Sequence, residues 1–94
     1  MSEINIRKSH DFDLAGAQQV ADDLAQDMAN KFDVRYHWEG DVIVFERSGC
    51  RGEIEVDGQS VHVQARLGFF LSYLKPAVER EIHRYLDEHF KKTA

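Results

Sequence analysis

Between Val34 and Arg66 the chain divides into four short runs, separated by Glu39-Gly40-Asp41, Ser48-Gly49 and Asp57-Gly58, and each run alternates apolar with polar residues. Period-two alternation bounded by turn residues is the mark of half-buried strands, so this segment predicts a four-strand antiparallel meander. The registers can be tested against one another, because a slip of one residue sends every side chain of a strand to the opposite face. A two-residue turn at Asp57-Gly58, a favoured hairpin pair, sets Ile54 opposite Val61, Gly52 opposite Val63 and Cys50 opposite Ala65. A two-residue turn at Ser48-Gly49 places Phe45 over Gly52 and Ile43 beside Ile54. An even-length turn at Gly40 then puts Tyr36 and Trp38 on that same face, so all three hairpins agree on one apolar surface.

The other face carries Arg35, His37, Glu46, Arg51, Glu53, Glu55, Ser60, His62, Gln64 and Arg66, with Val42 and Val44 as exceptions, and reads as solvated. In these registers Arg35 meets Glu46, Glu46 meets Arg51 and Glu53 meets His62. Opposite charges across strands favour such a pairing by roughly 0.2–1 kcal/mol each. The trio His37, Glu53 and His62 is the one grouping on this face that resembles a metal or binding cluster, but a mixed-charge solvent face accounts for it without a ligand.

Helical periodicity flanks the meander. Leu14, Ala17, Ala21, Leu24, Met28 and Phe32 recur at spacings of three and four, which predicts one buried stripe. Asp11 or Asp13 is placed to cap its start, and alanines at 15, 17, 21, 25 and 29 allow close approach to the sheet. A second stripe runs through Leu71, Leu74, Val78, Ile82, Tyr85 and Leu86, with Arg84–Glu88, Asp87–Lys91 and Glu88–Lys92 as solvent-side pairs four apart. Pro76 lacks the helical donor, so it predicts a break near Lys75, with a main helix from Pro76 to about Phe90 and a separate turn over Gly68–Leu74. Ile4 and Ile6 alternate with Asn5 and Arg7 in a first strand over Glu3–Lys8. The order is β-α-β-β-β-β-α, an α+β two-layer sandwich with both helices on the apolar face of the sheet.

A chain of 94 residues suffices for one modest core, so residues 1–94 are expected to form a single domain. The one cysteine excludes an internal disulfide, and Cys50, pointing inward, is expected to be inert. The net charge of −5 argues against a nucleic-acid partner. Without a signal peptide or a twenty-residue apolar run, no transmembrane segment is expected and a cytoplasmic location follows. Catalytic motifs are missing. His83 and His89 fall on different sides of the last helix, no Cys/His spacing suggests zinc, and neither a nucleophile elbow nor a phosphate-cradling loop occurs. Glu79 and Glu81 read as a wet helix surface. His10, at the junction of first strand and first helix, is placed to cap or contact the sheet edge. No enzyme, cofactor or metal is expected.

The succession Ile4-x-Ile6, His10, an alanine-rich helix, Tyr36-x-Trp38-Glu39-Gly40-Asp41, Phe45-Glu46-Arg47, Gly52, Leu67-Gly68-Phe69, Lys75 and Glu79-Arg80-Glu81-Ile82 resembles the small bacterial "polyhydroxyalkanoic acid system" family over nearly the whole chain. The resemblance implies a protein associated with polyhydroxyalkanoate storage, whose genes tend to accompany those of polymer synthesis. It carries over no reaction and no catalytic residue, and so implies a non-enzymatic accessory protein at or near the storage granule.

Two regions are candidates for contact. In Leu67–Leu74 aromatics outnumber what one buried stripe needs: if Leu71 and Leu74 face the sheet, at least one of Phe69, Phe70 and Tyr73 lies toward an edge. These rings are expected to close one end of the core or to line a homodimer interface. Turned outward beside Lys75, they would instead touch the polymer, a lipid-like coat or a granule-associated partner. A long helix across a curved antiparallel sheet is also similar to helix-grip and TATA-binding-protein-like architectures, in which the gap between helix and sheet holds an apolar ligand. Here Tyr36, Trp38, Phe45, Phe70 and Tyr85 would line such a gap for an acyl or hydroxyacyl chain, although a solid core is the simpler expectation.

Overall fold

The computed structural model describes residues 2–90. In chain order these form β1 (Ser2–Ser9), α1 (Leu14–Phe32), β2 (Arg35–Glu39), β3 (Val42–Arg47), β4 (Cys50–Val56), β5 (Ser60–Leu67), a 3-10 helix (Phe69–Leu74) and α2 (Lys75–His89). The strands make one antiparallel sheet in the order β1-β5-β4-β3-β2. β1 and β2 are therefore opposite edges, and α1 must cross the sheet to connect them. At 1.5 Å per residue its 19 residues span about 28 Å, enough to cross five strands spaced about 4.8 Å apart.

Both helices bury their stripes on the face that carries Ile43, Phe45, Ile54, Val61 and Val63. Asp13 caps α1 by accepting from the Gly16 amide at 2.8 Å, and Asp33 ends the helix in the left-handed region at φ 58°. Ala17, Ala21 and Ala25 are buried beside Val20, Leu24 and Met28, so small side chains do bring this helix close to the strands. Leu14 departs from the expected stripe. As the first residue of the helix it stands 41% exposed, and Val20 joins the stripe instead. In α2, Val78, Ile82 and Leu86 are buried, with Pro76 in the first turn as predicted. Arg84 pairs with Glu88 at 3.3 Å. The expected pairs Asp87–Lys91 and Glu88–Lys92 lie outside the described residues, while Asp87 meets Lys8 of β1 at 2.7 Å.

The hairpins at Gly40 and Gly49 have the predicted registers, with Tyr36 facing Phe45, Phe45 facing Gly52 and Ile43 facing Ile54. The β4–β5 hairpin does not. Ile54 faces Val63, Gly52 faces Ala65 and Cys50 faces Leu67, a displacement of two residues from the expected pairing. The primed turns favoured in two-residue hairpins need positive φ at one or both central positions, and neither Asp57 nor Gly58 has it. Asp57 Oδ1 instead accepts from the amides of Gln59 (2.8 Å) and Ser60 (2.7 Å), moving the turn to Gly58-Gln59. An even slip keeps every side chain on its face, so the core is as expected, whereas the outer rows change: His62 now faces Glu55, and Arg51 faces Arg66. Val44 is buried on that outer face between His37 and Glu53.

Candidate functional site

The aromatic segment is set by its contacts with the β3–β4 turn. The Gly68 amide donates to the Gly49 carbonyl at 2.7 Å, which pins the start of the 3-10 helix to that turn. Leu71 then packs on Gly49 so closely that a Cβ there would lie 3.2 Å from Leu71 Cδ1; with φ at 84°, this position favours glycine on two counts. A 3-10 helix has three residues per turn, so residues three apart eclipse one another. Leu71 and Leu74 share the side against the core, and Phe70 and Tyr73 share an outer side. Phe69, Phe70 and Tyr73 are 78%, 86% and 74% exposed, which corrects the expectation that they close the core. Phe69 and Phe70 contact edge to face at 5.6 Å, and Lys75 follows at partial exposure. Leaving each phenylalanine in water forgoes about 1.5–3 kcal/mol of burial, so three such rings together form a ridge whose exposure calls for a use.

An open groove of about 750 Å³ reaches this ridge at Gly68 and runs along the outer face past Arg35, Glu46, Arg51 and Arg66. Arg47 donates to the Phe32 carbonyl at 2.7 Å and Arg66 meets Glu3 at 3.2 Å, but Arg35 and Arg51 have no hydrogen bond or ion pair among the described residues. The expected register hid this feature, since it paired Arg51 with Gln64. The side chain of Asp57, read as a turn former by its own acceptor oxygen, was the signal that would have exposed it.

The gap between helices and sheet is filled. Its cavity has about 20 Å³, room for about one water, against about 300–1,000 Å³ for a bound organic ligand. Phe45 lines it beside Met28, Leu71 and Leu74, whereas Tyr36, Trp38 and Tyr85 do not, and Phe70 stands outside. Trp38 Nε1 donates to Asp22 Oδ1 at 2.9 Å. Burial and the nearby Asp22 push the Tyr36 hydroxyl above its ordinary pKa, and burial with Asp23 does the same for Tyr85, which stacks on His89 at 4.0 Å. Gly52 gives the Phe45 ring its place: a Cβ there would be 2.4 Å from Phe45 Cζ and 2.5 Å from the Gln64 carbonyl.

His10 is buried at the opposite end of the sheet. Its Nε2 bonds the Asp57 carbonyl at 3.0 Å, its Nδ1 accepts from the Phe12 amide at 3.1 Å, and the ring stacks on Phe90 at 5.0 Å. With Nε2 donating and Nδ1 accepting, the neutral imidazole is fully bonded and has no free lone pair for a substrate. On the outer face His37 bonds Glu39 at 2.7 Å and His62 bonds Asn5, so His37, Glu53 and His62 do not converge. No group of three His, Cys, Asp or Glu among the described residues is arranged to hold a metal. Cys50 is half-buried, and burial pushes its thiol up.

Asp27 of α1 and Glu81 of α2 form the other unusual pair. Burial and the adjacent Glu81 raise Asp27, while hydrogen bonds from Asp27 and Arg84 lower Glu81 to about 2. Lys31 bridges to Glu81 at 2.8 Å. Asp27 Oδ2 is buried without a hydrogen-bond partner, while its Oδ1 meets Lys31 at 3.6 Å.

A family model described as "putative polyhydroxyalkanoic acid system protein" matches residues 4–90 of the chain. Neither curated proteins nor solved structures give a significant match.

Proposed function

We propose that this chain, which belongs to the polyhydroxyalkanoic acid system protein family, acts without chemistry of its own and meets the storage granule through Phe69, Phe70 and Tyr73. The observation that carries this reading is the division of labour within the 3-10 helix: two leucines hold the segment to the core, and three rings are presented to the surroundings. Family membership associates the chain with the polyhydroxyalkanoate system, and an apolar ridge is what contact with an apolar storage surface requires. The perturbed carboxyls of the helix seam bridge α1 to α2, and the bonded His10 seals a core end, so neither is poised over a cleft as a catalytic group would be.

Co-sedimentation with isolated polyhydroxyalkanoate granules tests the reading. The wild-type protein pellets with granules, and the variant with Phe69→Ser, Phe70→Ser and Tyr73→Ser stays in the supernatant while keeping the same cooperative melt. Equal pelleting of the two proteins would remove the ridge from the contact.

A further inference from the structure

We propose that the ridge and the arginine groove act as one amphiphilic face that binds an anionic phospholipid surface, the rings entering the interface while Arg35, Arg51 and Arg66 meet headgroup phosphates. This rests on the reading of the ridge as the contact site and names what it contacts. Continuity is the first ground. The groove ends at Gly68 and the ridge begins at Phe69, on a backbone link of 2.7 Å from Gly68 to Gly49. The second is charge. Arg51 and Arg66 stand directly opposite one another, an unfavourable pairing, and although Glu46 is the cross-strand neighbour of both Arg35 and Arg51, neither arginine forms a hydrogen bond or ion pair among the described residues. Along the groove four arginines (Arg35, Arg47, Arg51, Arg66) outnumber two carboxylates (Asp33, Glu46). Guanidinium groups such as Arg35 and Arg51, held in no ion pair, suit phosphate oxygens, which they bind through two parallel hydrogen bonds.

Shape separates a lipid surface from a protein partner. The rings project from a single convex turn at 74–86% exposure, and a folded partner would need a pocket matched to them, whereas a fluid interface accepts a wedge of any outline. Phenylalanine and tyrosine suit that interface, where the apolar body is buried and the phenol stays wet. The net charge of −5 does not oppose this. Asp22, Asp23 and Asp27 lie on α1, and Asp87 and Glu88 on α2, in a molecule 41 Å long, while at the groove Asp33 and Glu46 stand against four arginines. At physiological ionic strength charges are screened over about 8 Å, so the local arginines govern the approach.

Flotation with vesicles tests the inference, comparing phosphatidylcholine alone with an equimolar mixture of phosphatidylcholine and phosphatidylglycerol, and running native granules and bare polymer particles in parallel. The protein should float with the mixed vesicles and be released by salt. Arg51→Ser and Arg35→Ser should each weaken binding about fivefold, and the triple serine variant should not float. Equal binding to both vesicle compositions, or unchanged binding by the arginine variants, would overturn the role of the groove. Pelleting with granules but no flotation would overturn the lipid inference and leave the granule reading with polymer or protein as the contact. Flotation without granule pelleting would do the reverse, sinking the granule reading while the lipid inference stands.

Discussion

The two ends of the sheet are finished in opposite ways. At one end His10 and Phe90 stack at 5.0 Å, Phe12 closes on Phe90 edge to face at 5.1 Å, and every polar atom of the imidazole is bonded. At the other end aromatics are just as dense, yet of the 3-10 helix only Leu71 and Leu74 pack on the core and the three rings point away from it. Both ends solve the same packing problem, an open edge between helix and sheet, so the fold does not require exposed rings. The second end keeps surface in water that the first shows can be buried, and this difference singles out the ridge as a contact.

Substitution should make the asymmetry measurable, and its largest expression is thermodynamic. Phe90 is only 8% exposed, so Phe90→Ala should cost about 3–5 kcal/mol through lost burial and the cavity left beneath His10. Phe70→Ser should stay within about 0.5 kcal/mol, as surface changes do. Urea titration of both variants checks this, and a large loss for Phe70→Ser would make the ridge part of the core. A smaller effect is expected midway along the sheet at Gly52. An alanine Cβ there meets a ring atom at 2.4 Å and a carbonyl oxygen at 2.5 Å. Because the oxygen is backbone and cannot rotate away, Gly52→Ala should cost about 1–3 kcal/mol, typical of overpacking. An unchanged melting temperature would mean that the β4–β5 pair can part without penalty.

What could be read from residue order was whatever depends on period. Alternation in the meander identified the strands and their faces, and spacings of three and four identified both helices, so the sandwich and nearly all of its core were legible. What escaped depends on details that periodicity does not encode. The Asp57 side chain, by accepting two backbone amides, moved a turn by two residues; this even slip left the core intact but rearranged the outer rows, and so concealed Arg51 facing Arg66. The rings of Phe69, Phe70 and Tyr73 were legible as a candidate contact but not their direction, which is set by three residues per turn placing Phe70 and Tyr73 together on the side away from Leu71 and Leu74. Pro76 marked the break, but not the kind of helix before it. The Asp27–Glu81 contact joins separate helices, and no local pattern in either announces it.

That contact lies along the seam between the two ends and yields the smallest predicted effect, one whose sign can be worked out. Glu81, held at about 2 against an ordinary 4.5, contributes stability that is present above 4.5 and lost as pH falls toward 2. Asp27, raised above 3.8, contributes the opposite: stability present below 3.8 and lost as pH rises through its elevated folded value. The folded pair thus keeps one proton where two separate carboxyls would hold both below 3.8 and neither above 4.5. Its joint contribution peaks between those values and declines above 4.5, up to the raised folded value of Asp27, as the unfolded chain gives up a proton that the folded pair retains. Asp27→Asn supplies a permanent donor to Glu81 in place of that proton and removes the decline. The variant should therefore melt at a higher temperature than the wild type at neutral pH, and the gap should narrow as pH falls toward 4.5. Melting curves of both proteins across that range decide it. A variant that melts lower at neutral pH would mean that Asp27 is ionised and held by Lys31, with no proton shared across the helix seam.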